Sequence, residues 1–212
     1  MIKHKILRIY NLLLCYFGEQ HWWPGDSKDE VIIGAILTQN TNWRNVERAL
    51  RNLNRTHSLS LEKIIRMPKQ ELIDKIRPAG FYNQKAERLQ KVAYFFVNNI
   101  REDIPQDFRE RLLDIKGIGE ETADSILLYA YNLPYFVIDA YTRRIFYRLG
   151  VWKLNIKYAN AQAMFHKYLK KDPMIYNEYH ALLVRLAKEN CNKRPKCNTC
   201  PLQKECQKLM VH

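Results

Sequence analysis

A turn with two glycines, set between two helical segments, is the feature that most constrains how this chain can fold. The sequence predicts a helix over 108–115, a turn on Lys116-Gly117-Ile118-Gly119, and a second helix over 120–131. Neither glycine has a Cβ atom, so we expect both to adopt positive φ and to let a partner approach closely. The N–H groups of such a turn, beside a helix N-terminus, suit a phosphate oxygen. The turn is therefore expected to position nucleic acid without reading its sequence.

A carboxylate follows this hairpin at a fixed distance. Asp139 comes after the apolar run Tyr135-Phe136-Val137-Ile138 and directly before Ala140-Tyr141-Thr142-Arg143-Arg144. Aspartate is among the residues preferred at a helix N-cap, so the sequence predicts a third helix that begins after Asp139. An aspartate in this place can also be catalytic.

The charge balance indicates a polyanionic partner. The 212 residues carry 35 Lys and Arg against 22 Asp and Glu, a formal charge of +13, which favours nucleic acid or an anionic membrane surface. The chain has no apolar run of about 18 residues, and its start has the periodicity of an amphipathic helix without a cleavage site. We therefore expect a soluble, cytoplasmic monomer, associated with the nucleoid in a bacterium or archaeon, with nucleic acid as its partner.

The chain is predicted to be mostly helical, because it has only 7 glycines and short β-branched runs. The first helix is expected over 3–18, with Cys15 as a buried thiol. Ser27 and Glu30 have the spacing of a capping box at the start of the next helix.

The string Arg77-Pro78-Ala79-Gly80-Phe81-Tyr82-Asn83 marks another helix start. Gly80 ends the preceding element and Asn83 is predicted to be the N-cap. The basic face of the new helix would carry three side chains, namely Lys85, Arg88 and Lys91.

Four cysteines near the end of the chain predict a metal site. Cys191, Cys197, Cys200 and Cys206 have the spacing C-x5-C-x2-C-x5-C. An intracellular chain argues against disulfides, and both zinc and an iron–sulfur cluster accept four cysteine ligands.

The glycine turn followed about twenty residues later by Val137-Ile138-Asp139 resembles the helix-hairpin-helix, endonuclease III-like superfamily of DNA glycosylases. The resemblance implies an all-α fold with Asp139 as the catalytic aspartate. It implies a six-helix barrel over 24–133 and a second helical domain from 1–23 and 134–212, with the active site in the cleft between them. It also implies that the cysteines hold a [4Fe–4S] cluster, with zinc as the alternative, although the first cysteine gap is one residue shorter than in the family.

Two further strings carry the resemblance, Leu37-Thr38-Gln39-Asn40-Thr41 and the stretch that contains Phe81. By resemblance, Gln39 fills the gap left by an extruded nucleotide, and Phe81 is the wedge pressed into the base stack. The other DNA contacts that the resemblance implies are Lys116, Gly117, Ile118, Gly119, Arg143, Lys193 and Arg194.

The chain looks most like the 3-methyladenine DNA glycosylases of the endonuclease III-like type. Glu121 stands where the bifunctional branch has a Schiff-base lysine, which implies a monofunctional enzyme of base excision repair. The implied substrate-base pocket consists of Trp22, Trp23, Pro24, Trp43 and Glu121. An indole face attracts a positively charged alkylpurine by cation–π interaction.

Two alternatives stay open at this point. A mismatch or uracil glycosylase would share the hairpin, Asp139 and the cysteines. A non-catalytic DNA-binding protein with a zinc knuckle would share the cysteines and the basic charge.

Overall fold

The computed structural model describes residues 2–22, 25–55, 59–100 and 104–210. Across these ranges the backbone forms α helices and two short 3₁₀ turns but no β strand, so the predicted all-α class is confirmed. Within the same ranges no helix is long and apolar enough to cross a bilayer. The α helices of the described residues are α1 Ile2–Phe17, α2 Lys28–Leu37, α3 Trp43–Asn54, α4 Leu61–Arg66, α5 Lys69–Ile76, α6 Tyr82–Asn99, α7 Phe108–Leu113, α8 Glu120–Tyr131, α9 Ala140–Arg148, α10 Tyr158–Tyr168 and α11 Pro173–Glu189.

The chain divides into two compact units, which we call the continuous unit and the terminal unit. The continuous unit is Trp23–Tyr131, and the terminal unit joins Met1–Trp22 to Asn132–His212. In the continuous unit, α2 packs against α3 and α8, α4 and α5 pack against α6, and α7 packs against α8. The apolar face of each helix is buried in these contacts, which hold the glycine hairpin between α7 and α8.

Aromatic side chains form the centre of the terminal unit. The ring of Phe136 stacks on Phe165 with 3.7 Å between the ring centroids, and Tyr179 packs against both. The hydroxyl of Tyr179 donates a 2.9 Å hydrogen bond to the carbonyl oxygen of Ile6 in α1. This core therefore joins the first helix of the chain to α9, α10 and α11.

The predicted capping box of α2 is confirmed for the Ser27 side chain, whereas the Glu30 side chain binds the N–H of Asp26 instead of that of Ser27. The backbone N–H of Glu30 donates to Oγ of Ser27 at 3.1 Å. The Glu30 carboxylate accepts from the backbone N–H of Asp26, at 3.0 Å. Both contacts satisfy N–H groups at the start of the helix, where the helix itself offers no acceptor.

The predicted N-cap at Asn83 is wrong. Helix α6 begins at Tyr82, and its N-cap is Phe81, which has a left-handed backbone with φ of 47°. Gly80 also has positive φ, at 70°. These two residues complete the turn before Asn83 is reached, so Asn83 lies inside the first turn of the helix.

The prediction that Cys15 is buried is also wrong. Ile6, Ile9 and Leu13 are fully buried along one face of α1, whereas Cys15 is exposed. Residues 6 and 15 differ by two and a half turns of an α helix, so their side chains point in opposite directions.

Candidate active site

Asp139 is the N-cap of helix α9, as its position in the sequence predicts. Its Oδ1 atom accepts a 2.7 Å hydrogen bond from the backbone N–H of Thr142. The side chain is 15% exposed. The start of a helix carries a partial positive charge, which stabilises a carboxylate there. The capping bond occupies one carboxylate oxygen and fixes the direction of the other.

The second oxygen of Asp139 faces a histidine that sequence reasoning missed. The Nε2 atom of His180 lies 3.6 Å from Oδ2 of Asp139. His180 is buried in α11, and its ring stacks on the indole of Trp22 with centroids 5.9 Å apart and an interplanar angle of 29°. One signal could have found it, since His180 follows Tyr176 and Tyr179 on the apolar stripe of α11.

The environment of Asp139 favours its charged form. Burial raises the pKa of this carboxyl group. The positive charge of the nearby His180 and the N–H of Thr142 act in the opposite direction, and together they hold the pKa of Asp139 below its ordinary value of 3.8. The group is therefore a carboxylate at neutral pH and suits the role of a counter-charge.

The predicted aromatic pocket residues fall in different parts of the structure. Trp22 lies beside His180 in the terminal unit, and Trp23 and Pro24 lie outside the described residues. Trp43 begins α3 in the continuous unit, where it lines a cavity of about 490 Å³. The other residues that line this cavity are Gly25, Glu30, Glu47, Leu50, Arg51, Asn54 and Leu59.

Glu121 is an exposed residue in the first turn of α8, two positions after Gly119. A carboxylate at the start of a helix is stabilised by the positive end of its dipole. The side chain that follows the hairpin is therefore acidic and exposed at the position where the bifunctional branch is expected to carry its lysine.

The hairpin itself follows the predicted helix–turn–helix order, but its two glycines have different roles. Gly117 has positive φ, at 97°, whereas Gly119 does not, so the prediction of positive φ at both positions is wrong. A Cβ at Gly117 would lie 2.4 Å from Nε of Arg88, and a Cβ at Gly119 would meet nothing within 4 Å. Ile118, between them, is buried. The positive φ and the close contact with Arg88 explain why position 117 is a glycine. The space beside Gly119 is open, so a binding partner can approach the backbone there.

An ion pair joins the two helices of the hairpin. Asp124 in α8 is fully buried and receives two hydrogen bonds from Arg109 in α7, at 2.7 Å from Nε and 3.1 Å from Nη2. A bidentate pair of this kind fixes the geometry as well as the distance between its two helices. The pair therefore holds α7 and α8 in register on either side of the glycine turn.

Gln39 is held against the hairpin. Its Nε2 atom donates to the carbonyl oxygen of Gly117 at 3.0 Å and to Oγ1 of Thr122 at 3.1 Å. Its Oε1 atom accepts a 2.6 Å hydrogen bond from Nη1 of Arg88. Gln39 is therefore not a free surface side chain, because both ends of its amide are bound.

Phe81 is exposed although it is a large apolar residue. The residue is 61% exposed, and its backbone is left-handed, a conformation that costs about 1–2 kcal/mol for a residue other than glycine. An ordinary core phenylalanine is excluded by this exposure. The packing of the folded chain holds the ring in solvent.

The predicted basic face of α6 is wrong at Lys85. This lysine is 1% exposed, and its Nζ atom donates 2.8 Å hydrogen bonds to the carbonyl oxygens of Leu37 and Ala79. Burial, with a smaller contribution from Arg88, lowers the pKa of Lys85 to about 8. Lys91 is on the surface and pairs with Glu87 at 2.7 Å.

The other basic residues expected to contact DNA are accessible to different extents. Lys116, Lys193 and Arg194 are exposed. Arg143 is half-buried, because its Nη1 atom donates to the carbonyl oxygen of Ile156 at 2.7 Å. Arg143 is therefore held against its own unit through one of its nitrogens.

The four cysteines line a common cavity at the end of the terminal unit. Cys191, Cys197, Cys200 and Cys206 surround it together with Arg148, Asn190, Pro195, Gln203 and Lys208. Burial raises the pKa of Cys200 to about 11, and the other three cysteines add to this rise. Within the described ranges, no three His, Cys, Asp or Glu side chains are close enough together to bind one metal ion.

Basic residues of α9 bind the cysteine loop. The Nη1 atom of Arg148 donates to the carbonyl oxygen of Asn192 at 2.7 Å and approaches Sγ of Cys191 at 3.3 Å. Nε of Arg144 donates to the carbonyl oxygen of Cys191 at 2.9 Å. The helix that begins at Asp139 therefore also holds the cysteine loop.

This helix-hairpin-helix architecture is that of the endonuclease III-like DNA glycosylases. Residues 33–171, more than half of the chain, match the model of the HhH-GPD superfamily of base excision DNA repair proteins. The chain belongs to that superfamily.

The chain is similar to relatives of its own length. It is 48% identical over 209 residues, 95% of both chains, to a Methanocaldococcus jannaschii protein provisionally named a DNA repair glycosylase. It is 29% identical to endonuclease III of Thermotoga maritima, over 84% of this chain and 81% of that protein.

Two solved structures resemble the fold. Endonuclease III in a non-covalent complex with DNA has a TM-score of 0.85 at 22% identity, over 97% of this chain and 95% of that one. The 3-methyladenine DNA glycosylase of H. pylori, bound to 1,N6-ethenoadenine, has a TM-score of 0.76 at 29% identity, over 88% of this chain and 97% of that one.

Proposed function

We propose that this protein is a monofunctional DNA glycosylase that releases alkylated purines, such as 3-methyladenine, from damaged duplex DNA. The observation that carries the proposal is the carboxylate of Asp139, held ionised at the start of α9 and in contact with His180. An N3- or N7-alkylated purine carries a positive charge, so its glycosidic bond is weak and its departure needs no strong general acid. The remaining requirement is a counter-charge for the sugar, which a carboxylate supplies.

The reaction is a hydrolysis at C1′ of the damaged nucleotide. The C1′–N bond breaks and its electron pair leaves with the alkylpurine, which becomes neutral. Asp139 stabilises the oxocarbenium-like sugar that forms. The oxygen of a water molecule then bonds to C1′, and the proton that it loses passes to solvent directly or by way of Oδ2 of Asp139. The products are a free base and an intact abasic strand.

Glu121 supports the monofunctional assignment. A lyase of this type forms an imine between a lysine amine and C1′ of the sugar, and a carboxylate cannot do so. Glu121 occupies the position two residues after the second hairpin glycine and is exposed there. The proposed enzyme therefore leaves the DNA backbone uncut.

The preference for alkylpurines rests on aromatic side chains. Trp22 lies beside His180, the partner of Asp139, and we assign its indole to the base pocket. An indole face stabilises a cationic base by about 0.5–2 kcal/mol, depending on how far it is desolvated. The 29% identity to the 3-methyladenine glycosylase of H. pylori supports the same preference.

The remaining site residues are assigned to DNA. The hairpin from Lys116 to Gly119 would bind backbone phosphates through its N–H groups, since a partner can approach Gly119 closely. Gln39 would fill the gap left by the extruded nucleotide, and Phe81 would press into the base stack. The cationic contacts to phosphates would come from Arg143, Lys193 and Arg194.

We assign a [4Fe–4S] cluster to the four cysteines. The four cysteines line one cavity in the terminal unit, and four cysteine thiolates can hold either a zinc ion or an iron–sulfur cluster. The resemblance of the cysteine spacing to that of the cluster-bearing endonuclease III-like glycosylases favours the cluster. When bound, it would hold the loop of Lys193 and Arg194 rigid and would take no part in base removal. Arg148 would remain beside Cys191 and neutralise part of the thiolate charge.

The relatives named endonuclease III favour a second candidate, a bifunctional glycosylase that acts on other bases and cuts the strand. The test is base release from duplexes that contain 3-methyladenine, 7-methylguanine, hypoxanthine, uracil or thymine glycol, by the wild type and by Asp139→Asn. We expect free alkylpurine and an intact abasic strand from the wild type only. Strand cleavage with an enzyme–DNA adduct trapped by borohydride would establish the second candidate and refute the first.

A further inference from the structure

The side chain of Lys85 connects two segments that are far apart in sequence. Its Nζ atom lies 2.8 Å from the carbonyl oxygen of Leu37 and 2.8 Å from that of Ala79. Leu37 is the last residue of α2, and Ala79 is the last residue of the 3₁₀ turn Arg77–Ala79. Carbonyl groups at the ends of helices lack partners within the helix. Lys85 supplies both of these with a donor.

Each of these carbonyl groups lies two residues before a side chain assigned to DNA. Gln39 follows Leu37, and Phe81 follows Ala79. Gly80 and Phe81, which follow Ala79, both have positive φ, so the chain turns sharply between this carbonyl group and the ring of Phe81. Because one ammonium group binds both carbonyl oxygens, it links the segment that carries Gln39 to the segment that carries Phe81.

A second basic residue, on the next turn of α6, binds Gln39 directly. Arg88, three residues after Lys85, donates to Oε1 of Gln39 at 2.6 Å and occupies the space that a Cβ at Gly117 would need. Helix α6, which begins at Tyr82, thus holds Gln39 against the hairpin and also anchors the segment before it. Buried charge is costly, and an apolar side chain of similar length would fill the core at lower cost. A lysine is explained at this site because its ammonium group donates to both carbonyl oxygens, which an apolar side chain cannot do.

We propose that Lys85 is a positioning residue for base extrusion, which holds Gln39 and Phe81 at the spacing needed to act together on one damaged base pair. The proposal rests on the assignment of these two side chains to DNA in the proposed function. Lys85 does not touch the substrate. Its effect on the rate of base release is confined to substrates whose damaged base must be forced out of a paired stack, because a base that is already unpaired needs no wedge.

The first experiment compares Lys85→Met with Lys91→Met, which removes an exposed lysine from the same helix. Single-turnover release of 3-methyladenine is measured from a duplex with the base paired to thymine and from one with the base opposite an abasic gap. We expect Lys85→Met to lose about tenfold to a hundredfold on the paired substrate and little on the gapped one, since small misplacements have effects of this size. Lys91→Met should match the wild type on both.

The second experiment does not depend on which base the enzyme removes. A duplex with a stable abasic analogue and 2-aminopurine in the opposite strand reports unstacking by its fluorescence. The fluorescence rise on binding should be weaker for Lys85→Met than for Lys91→Met. A wild type that raises the fluorescence but releases no alkylpurine would refute the substrate assignment and leave the role of Lys85 intact.

Lys85→Gln is the second variant, for use if Lys85→Met does not fold, because its amide keeps a shorter N–H donor. It should show a smaller loss with the same preference for the gapped substrate. Equal losses on paired and gapped duplexes, or an unchanged rate on the paired duplex, would overturn the proposal.

Discussion

The Nε2 atom of His180 lies 3.6 Å from Oδ2 of Asp139, so Asp139, the N-cap of α9, has a buried partner on α11. The other oxygen of Asp139 is bound by the N–H of Thr142. Both contacts favour the carboxylate over the neutral acid.

Asp139→Asn should lower the single-turnover rate of base release by about a hundredfold or more, because it removes the charge that stabilises the sugar cation. The rate is measured by chromatography of the released base. Asp172→Asn is the matched control, since Asp172 also caps a helix, with its Oδ1 accepting from the N–H of Met174. Equal losses in the two variants would show that the charge of Asp139 has no special role in base release.

The pH dependence of base release should reflect the lowered pKa of Asp139. In the wild type, the carboxylate stays ionised as the pH falls to the ordinary pKa of 3.8, so its titration should not limit the rate above about pH 4. His180→Leu removes the largest contribution that opposes burial, so the pKa of Asp139 should rise and the acid limb of the rate profile should move to higher pH. His4→Leu changes an exposed histidine and serves as the control. An unshifted acid limb in His180→Leu would contradict the pairing.

Asp124→Ala should lower the free energy of unfolding by about 3–5 kcal/mol, because it leaves the guanidinium of Arg109 without its buried partner. The measurement is denaturant unfolding followed by circular dichroism. Asp107→Ala breaks a pair with Arg111 on the surface of α7 and should have a much smaller effect. A similar loss in both variants would show that the Arg109–Asp124 pair is not what holds the hairpin helices together.

Lys85 should make stability depend on pH in the alkaline range. Its pKa is about 8 in the folded state against 10.5 for an ordinary lysine, so the unfolded chain binds more protons between these values. The free energy of unfolding should therefore rise with pH from about 8 to about 10.5, by at most about 3.4 kcal/mol. The difference between wild type and Lys85→Met, measured by unfolding at each pH, isolates this contribution from other groups. A constant difference across the window would show that the lysine is not desolvated.

The cysteine site should bind iron and sulfide. After anaerobic reconstitution, the wild type should gain the broad visible absorption of a cluster and unfold at a higher temperature, because the bound group holds the loop beside Arg148. Cys200→Ser should lose both effects, and Cys15→Ser, at an exposed position in α1, should keep both. A colourless protein with one zinc per chain would overturn the cluster assignment.

Much of the helical framework follows from local signals. Helix α8 begins at Glu120 and ends at Tyr131, as the sequence predicts. The caps at Ser27 and Asp139 are also confirmed, since an N-cap depends on a side chain and an N–H group only three residues apart.

Several predictions failed where a distant contact or an uncommon backbone conformation decided the structure. Lys85 follows a helix start and has the sequence context of a surface residue, but its acceptors are the carbonyl groups of Leu37 and Ala79. His180 is found only when α11 is brought against the start of α9. The cap at Phe81 needed a left-handed backbone that local preference disfavours, so Asn83 was the better candidate from sequence alone.

Substitutions of the exposed, left-handed Phe81 should have opposite effects on stability and on function. Glycine or asparagine would relieve the torsional strain of a left-handed backbone, and neither would leave an apolar ring in water. A saturation library selected for heat resistance should therefore enrich these two residues, whereas a library selected for survival of alkylation should retain phenylalanine. At this codon the two selections run in opposite directions.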